Sequence, residues 1–305
     1  MVSQSAASRL VDARLGNTPK YYLAPQEDLG MRISDEVRQC AVFVGLPHIL
    51  DDGQQILAFI GTAFAVSVPS SNVGRQFIYL VTAKHVAERL ADRPFLVRAN
   101  TLEGGSILLS GEGARWCTHP TDSSVDVAVA SWIPRKELEV KTVPTSMFLT
   151  DAVIKEKNIG VGDEVFITGL FAHLSGSKKN LPIVRMGNLA MMPSEPVHTR
   201  LGDIEAYLIE ARSIGGLSGS PVFVIASLFG PTYLLGLMHG HWDIAPDLKN
   251  DAVLMDDDTL GKVNMGIAIV IPAKKILEVL QHPELIEMRR TVNDAEREAH
   301  VPTPD

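Results

Sequence analysis

Short apolar runs divided by turn residues recur along most of this 305-residue chain, and that spacing constrains the fold more than any other feature. Phe59-Ile60-Gly61-Thr62-Ala63-Phe64-Ala65-Val66-Ser67-Val68 reads as a strand and Pro69-Ser70-Ser71-Asn72-Val73-Gly74 as a turn cluster. Phe77-Ile78-Tyr79-Leu80-Val81-Thr82 then returns as the partner strand of a long-looped hairpin. Val42 and Val44 mark a strand before it. Others are predicted at Phe95 to Arg98, Ser106 to Leu109, Val125 to Ala130, Gly162 to Gly169, Leu181 to Met192, Ala206 to Ala211, Val222 to Ala226, Tyr233 to His239 and Met265 to Ile271. The 24 glycines and 18 prolines supply turns, and a 46% hydrophobic share supplies a core. Many short strands at regular spacing predict an all-β barrel or sandwich. Helical pattern is confined to Val86 to Leu90 and to Ala273 to Leu280, which Pro272 opens and which is apolar along one face.

The flanks have a different character. Residues 1–33 are polar and carry two prolines, which predicts an N-terminal arm. Residues 134 to 160 are mixed and charged, the expected connection between two halves. Residues 286–305, charged from Arg289 onward, predict a frayed C-terminal tail. A net charge of −8 and a pI of about 5.6 argue against a nucleic-acid or anionic-membrane partner. Cys40 and Cys117 are the only cysteines, too few for a secreted disulfide framework, so reduced thiols are expected. No apolar run reaches the length of a membrane span, and the opening residues lack the apolar core of a secretory signal. A cytoplasmic protein is the expectation.

Chemistry concentrates in three stretches. Gly216-Leu217-Ser218-Gly219-Ser220-Pro221 is a glycine-framed turn that leaves a serine hydroxyl accessible and can aim successive N–H groups at one point, as an oxyanion hole requires. Upstream, Thr82-Ala83-Lys84-His85 closes one strand pattern and Asp126-Val127-Ala128 opens another. A serine hydroxyl is a poor nucleophile without an adjacent base. Histidine suits that task with an ordinary pKa of about 6.5. A buried carboxylate fixes the imidazole tautomer and stabilises the imidazolium.

At these residues the chain resembles the chymotrypsin-like (trypsin-like) serine peptidases, in the bacterial branch that includes the high-temperature-requirement proteases. The three stretches match that family's Thr-Ala-x-His, Asp-x-Ala and Gly-x-Ser-Gly-[Gly/Ser]-Pro blocks in order, and Asn264-Met265-Gly266-Ile267-Ala268-Ile269 with the helix after it resembles the bacterial ending. The resemblance implies two six-stranded antiparallel β-barrels with a C-terminal helix. The first barrel would span about 34–135, the second about 160–272 and the helix 273–282, within a peptidase domain at 34–285. It implies His85 as base, Asp126 as its orienter, Ser218 as nucleophile, and the N–H groups of Gly216 and Ser218 as oxyanion hole. It implies protein or peptide substrates and neither cofactor nor metal. Leu217 stands where activated digestive members carry an aspartate, which closes activation by N-terminal cleavage. Nothing after about residue 283 has the length of an appended peptide-binding domain, so the arm and tail are the regions expected to dock a regulatory partner or another subunit.

Family spacing places Arg212 at the floor of the substrate pocket and His239 and His241 along its wall. A guanidinium and an imidazole there favour an acidic or amide side chain over a basic one. Few other readings compete. Asp122, four residues before Asp126, does not fit the aspartate block. His239, His241 and Asp243 have metal-ligand chemistry, yet no second cluster completes a ligand set. An α/β-hydrolase needs glycine two after the serine, where Ser220 stands, and the order serine, acid, histidine. A catalytically idle peptidase fold that binds a protein partner is the alternative function.

Overall fold

The computed structural model describes residues 33 and 35–299, apart from 54, 73, 200–201, 213–214, 227–229 and 245–262. A short helix α1 (Asp35–Arg38) leads into β1 (Ala41–Ile49), which pairs antiparallel with β2 (Gln55–Pro69). β3 (Gln76–Thr82), the helix α2 (Lys84–Leu90), β4 (Leu96–Asn100), β5 (Ser106–Ser110), β6 (Trp116–Thr118), β7 (Ala128–Ser131) and β8 (Val143–Pro144) follow. Their sheet has eight strands in the order β5-β4-β1-β2-β3-β7-β6, with β8 added parallel to β2. In β4 burial alternates with the strand period, so Val97 and Ala99 face inward. The hydrogen bonds of this half leave the sheet ladder open, whereas six strands closed on themselves were expected. β8 adds a further strand that its two-residue length hid from any pattern.

The second half closes fully. β9 (Glu164–Gly169), β10 (Ile183–Met191), β13 (Tyr207–Glu210), β14 (Pro221–Ile225), β15 (Thr232–Ile244) and β16 (Val263–Pro272) form a barrel in the order β10-β13-β16-β15-β14-β9. A small hairpin of β11 (Val197–Thr199) and β12 (Gly202–Ile204) lies outside it. The charged connection holds a helix, α3 (Asp151–Lys157). Thr150 caps its start by accepting from the Val153 N–H at 3.4 Å, and Asn158 ends it in the left-handed conformation. One apolar cluster runs from the first half through Phe166, Phe223, Leu234 and Leu237 of the second, and Phe166 stacks on Phe223 at 5.1 Å. The halves therefore share a core.

The C-terminus corrects one expectation. After α4 (Ala273–Leu280), residues 283–299 form the 17-residue helix α5 (Pro283–Ala299), not a frayed tail. Leu285, Met288, Val292 and Glu296 recur at helical spacing on its buried side, a stripe that the intervening charges conceal. Arg289 donates to the Tyr79 hydroxyl at 3.0 Å and to the Leu280 carbonyl at 2.8 Å. Glu296 takes Arg75 and Asn72, and Asn293 takes the Ser70 hydroxyl, so α5 grips the β2–β3 turn. Cys40 and Cys117 are buried free thiols. No described helix is long and apolar enough to cross a membrane.

Candidate active site

β3 ends at Thr82 and α2 begins two residues later, which puts His85 in the first helical turn. The first N–H groups of a helix lack partners inside it, and Ala83 offers no capping side chain. Asp126 supplies the acceptor. Its Oδ1 accepts from the His85 N–H at 2.9 Å, and its Oδ2 lies 2.8 Å from His85 Nδ1. One carboxylate thus sets both the backbone and the ring of the histidine. Asp126 is 2% exposed, just ahead of β7. Burial works to raise its carboxyl, but hydrogen bonds from His239 and His85, and then their charges, hold it well below the usual carboxylate range. Asp122 serves as a turn residue, accepting from the Ser124 N–H at 2.9 Å and hydroxyl at 2.6 Å.

The serine turn is pinned from both sides. Ser220 N–H closes it on the Leu217 carbonyl at 2.9 Å, and Gly219 N–H and Ser220 C=O bond to Met238 of β15 at 2.8 Å each. Gly219 has φ +81°, and a Cβ there would stand 2.3 Å from the Thr62 carbonyl oxygen and from Thr82 Oγ1, so only glycine fits. Gly216 has φ +100°. Leu217 is fully buried in the core of the second barrel, where the absent aspartate of cleavage-activated relatives would need a charged partner. Among the described residues the N–H groups of Gly216 and Ser218 donate to nothing.

From the first half, Thr62 holds this turn in place. Its N–H donates to the Ser218 carbonyl at 3.0 Å. Its hydroxyl donates to the Gly216 carbonyl at 2.9 Å and accepts from the Leu170 N–H at 2.9 Å. Its own carbonyl accepts from the Thr82 hydroxyl at 2.7 Å. In the sequence Thr62 reads only as a strand residue. The available signal was a hydroxyl in the otherwise apolar run around it, fully buried and so obliged to find partners.

The structure brings His85, Asp126 and His239 together and sets Ser218 beside them. The Ser218 hydroxyl donates to the His239 carbonyl at 3.4 Å, and no hydrogen bond joins it to His85. His239 does not stand free on a pocket wall. Its Nδ1 lies 2.5 Å from Asp126 Oδ2, with its ring edge-on to that of His85 at 5.7 Å between centroids. Arg212 is exposed beyond the end of β13 and shares no hydrogen bond with His239. His241 is partly buried on β15, and the side chain of Asp243 and residues 256–258 lie outside the described residues. His119 bonds Glu278 of α4 at 2.8 Å, a structural tie.

Two groups have metal-ligand chemistry among the described residues, His85–Asp126–His239 and Cys117–His282–Glu284, each with its ligand atoms within 4.8 Å of one another. In the first, separations of 2.5 and 2.8 Å are shorter than the roughly 3.4 Å between neighbouring ligands of a tetrahedral zinc. They are hydrogen-bond distances. In the second, His282 Nδ1 accepts from the Glu284 N–H at 3.3 Å, which spends one ring nitrogen.

Together the closed second barrel, the strand-rich first half and the C-terminal helices give the chain a chymotrypsin-like fold. The chain is similar in structure to the protease domain of MamO from Magnetospirillum magneticum in its apo form, at TM-score 0.51 and 16% identity over 81% of this chain and 99% of that one. It is also similar to Deg5, at TM-score 0.47 and 14% identity over 79% of this chain and 87% of that one. For the inactive form of Rv3671c from M. tuberculosis H37Rv the values are 0.42 and 16%, over 93% and 98%. No family model matches the chain, and no curated protein matches it.

Proposed function

We propose that the chain is a serine endopeptidase acting on protein or peptide substrates. The observation that carries this reading is the buried, ionised Asp126 bonded to both the ring and the backbone of His85, next to a serine turn whose two N–H groups are unspent. Ser218 turns from the His239 carbonyl toward His85 Nε2 and attacks the scissile carbonyl as His85 takes its proton. Asp126 stabilises the imidazolium, and the Gly216 and Ser218 N–H groups hold the oxyanion. His85 then protonates the leaving amine, and water releases the acyl group by the same steps. The chemistry calls on no cofactor.

Labelling with a fluorophosphonate, wild type against Ser218→Ala, tests the proposal. Wild type takes the label and the variant does not, and replacing a triad member costs roughly 10⁴ in kcat. One observation favours the second reading, an idle fold that binds a protein partner: the serine hydroxyl rests on a carbonyl rather than on His85. Folded wild-type protein that stays unlabelled would move the assignment to that reading.

A further inference from the structure

Asp126 Oδ2 serves two imidazoles, from opposite halves of the molecule. His85 Nδ1 approaches at 2.8 Å from α2, and His239 Nδ1 at 2.5 Å from β15. An ionised carboxylate only accepts, so each Nδ1 carries a proton. In the neutral rings Nε2 then holds a lone pair. The two histidines differ in access: the His85 side chain is 30% exposed and that of His239 is 12%. His85 is therefore the ring open to substrate. His239 is boxed between the carboxylate, the other ring and the serine turn, and its own carbonyl receives the Ser218 hydroxyl.

We infer that His239 is a positioning residue for the Asp126–His85 pair rather than a wall of the substrate pocket. Its Nδ1–H anchors Oδ2 from the second half and fixes the side from which His85 must approach. The inference rests on the proposed peptidase reading for its kinetic consequence, but its structural part stands apart from it. The anchor has a charge condition. With His239 neutral, one carboxylate faces one imidazolium when His85 takes the serine proton. With His239 protonated, two cations 5.7 Å apart between ring centroids share one anion, and the step is opposed.

The barrel partners of the stretch around His239 are apolar: Val270 and Ile269 of β16, Val222 and Pro221 of β14. On α4, packed against β15, Lys275 pairs with Glu278 and Glu205, Lys274 pairs with Glu205, and Glu278 also takes His119. Lys84 of α2 pairs with Glu88. His241 lies two residues along the same strand.

Two variants separate the roles. His239→Asn places Nδ2–H where the imidazole Nδ1–H stood and cannot titrate. His239→Phe keeps a ring and removes the donor, with His239→Leu in its place if near-ultraviolet circular dichroism shows the Phe variant unfolded. Donor removal lowers kcat by about ten- to hundredfold, the value of a hydrogen bond to a charged group, with KM little changed. Asn restores most of kcat. A pocket role gives the opposite split: KM for substrates with glutamate or glutamine before the cut bond rises in both variants while kcat holds. That outcome overturns the inference. Low-field proton NMR reads the geometry without activity. Wild type shows two Nδ1–H resonances, and donor removal deletes one and shifts or broadens that of His85, while Asn keeps the His85 signal in place. A His85 resonance unmoved by donor removal refutes positioning even in an active enzyme. A shift in a protein that never labels with fluorophosphonate keeps the positioning and sinks the peptidase reading instead.

Discussion

Asp126 is where single residues decide most. Its carboxyl is held below the range of an unfolded aspartate, at about 3.9. A depressed folded value means that the native state binds the proton less readily than the unfolded chain. The stabilisation is fully present above about pH 4 to 5 and is lost as pH falls below that toward the folded value. Urea midpoints measured from pH 7 down to pH 3 will show wild type losing stability at the acid end, and Asp126→Asn losing less over the same interval. Parallel curves would show that the carboxylate contributes no such linkage. The nearness of His85 to Asp126 and the tight turn at Ser218 were legible in the sequence because each sits in a short block, the turn framed by glycines at φ +100° and +81°. Thr62 was not legible. Its partners Gly216, Leu170 and Ser218 lie more than a hundred residues away in the chain, and no local pattern encodes such a contact.

At the scale of elements, α5 is the sharpest departure from expectation. Its composition is that of a solvated tail, and only tertiary contact reveals the buried stripe of Leu285, Met288, Val292 and Glu296. Removing residues 283–305 strips the Arg289 donor from Tyr79 and leaves Arg75 without Glu296. Two buried apolar side chains and a set of part-buried polar contacts are lost, a net cost of about 2–4 kcal/mol after the ordering entropy of the helix is returned. Thermal melting of the truncated chain will fall by several degrees, and an unchanged midpoint would show that α5 adds nothing to the fold. Activity and oligomeric state measured on the same truncation separate this bracing from the expected docking of a partner. Strands were easier to read than this helix. Period-two burial in β4 and the turn cluster after β2 are local signals, while β8, β11 and β12 are two or three residues long and owe their pairing to what lies beside them.

Across the whole molecule, the proposed peptidase activity carries an expectation about which bonds are cut. Position 212 carries a guanidinium, and His239 is engaged with Asp126. Arg212 and His241 remain the groups proposed to meet the side chain before the cut bond. A peptide-library cleavage profile will therefore lack dominant cutting after lysine or arginine, and such cutting would refute the assignment. The two-half architecture was legible from strand spacing and block order, but the shared core through Phe166 and Phe223 was not, because an inward strand residue looks the same whichever side it faces. The bridge made by Thr62 has a consequence in time. A chain leaving the ribosome completes the imidazole and carboxylate with its first half, long before the serine turn is synthesised. Once made, that turn finds its template only when the second half has docked on Thr62, and the barrel that carries it closes with β16, the last of the described strands. On the peptidase reading, a chain caught between these two stages carries a base and its carboxylate without their nucleophile.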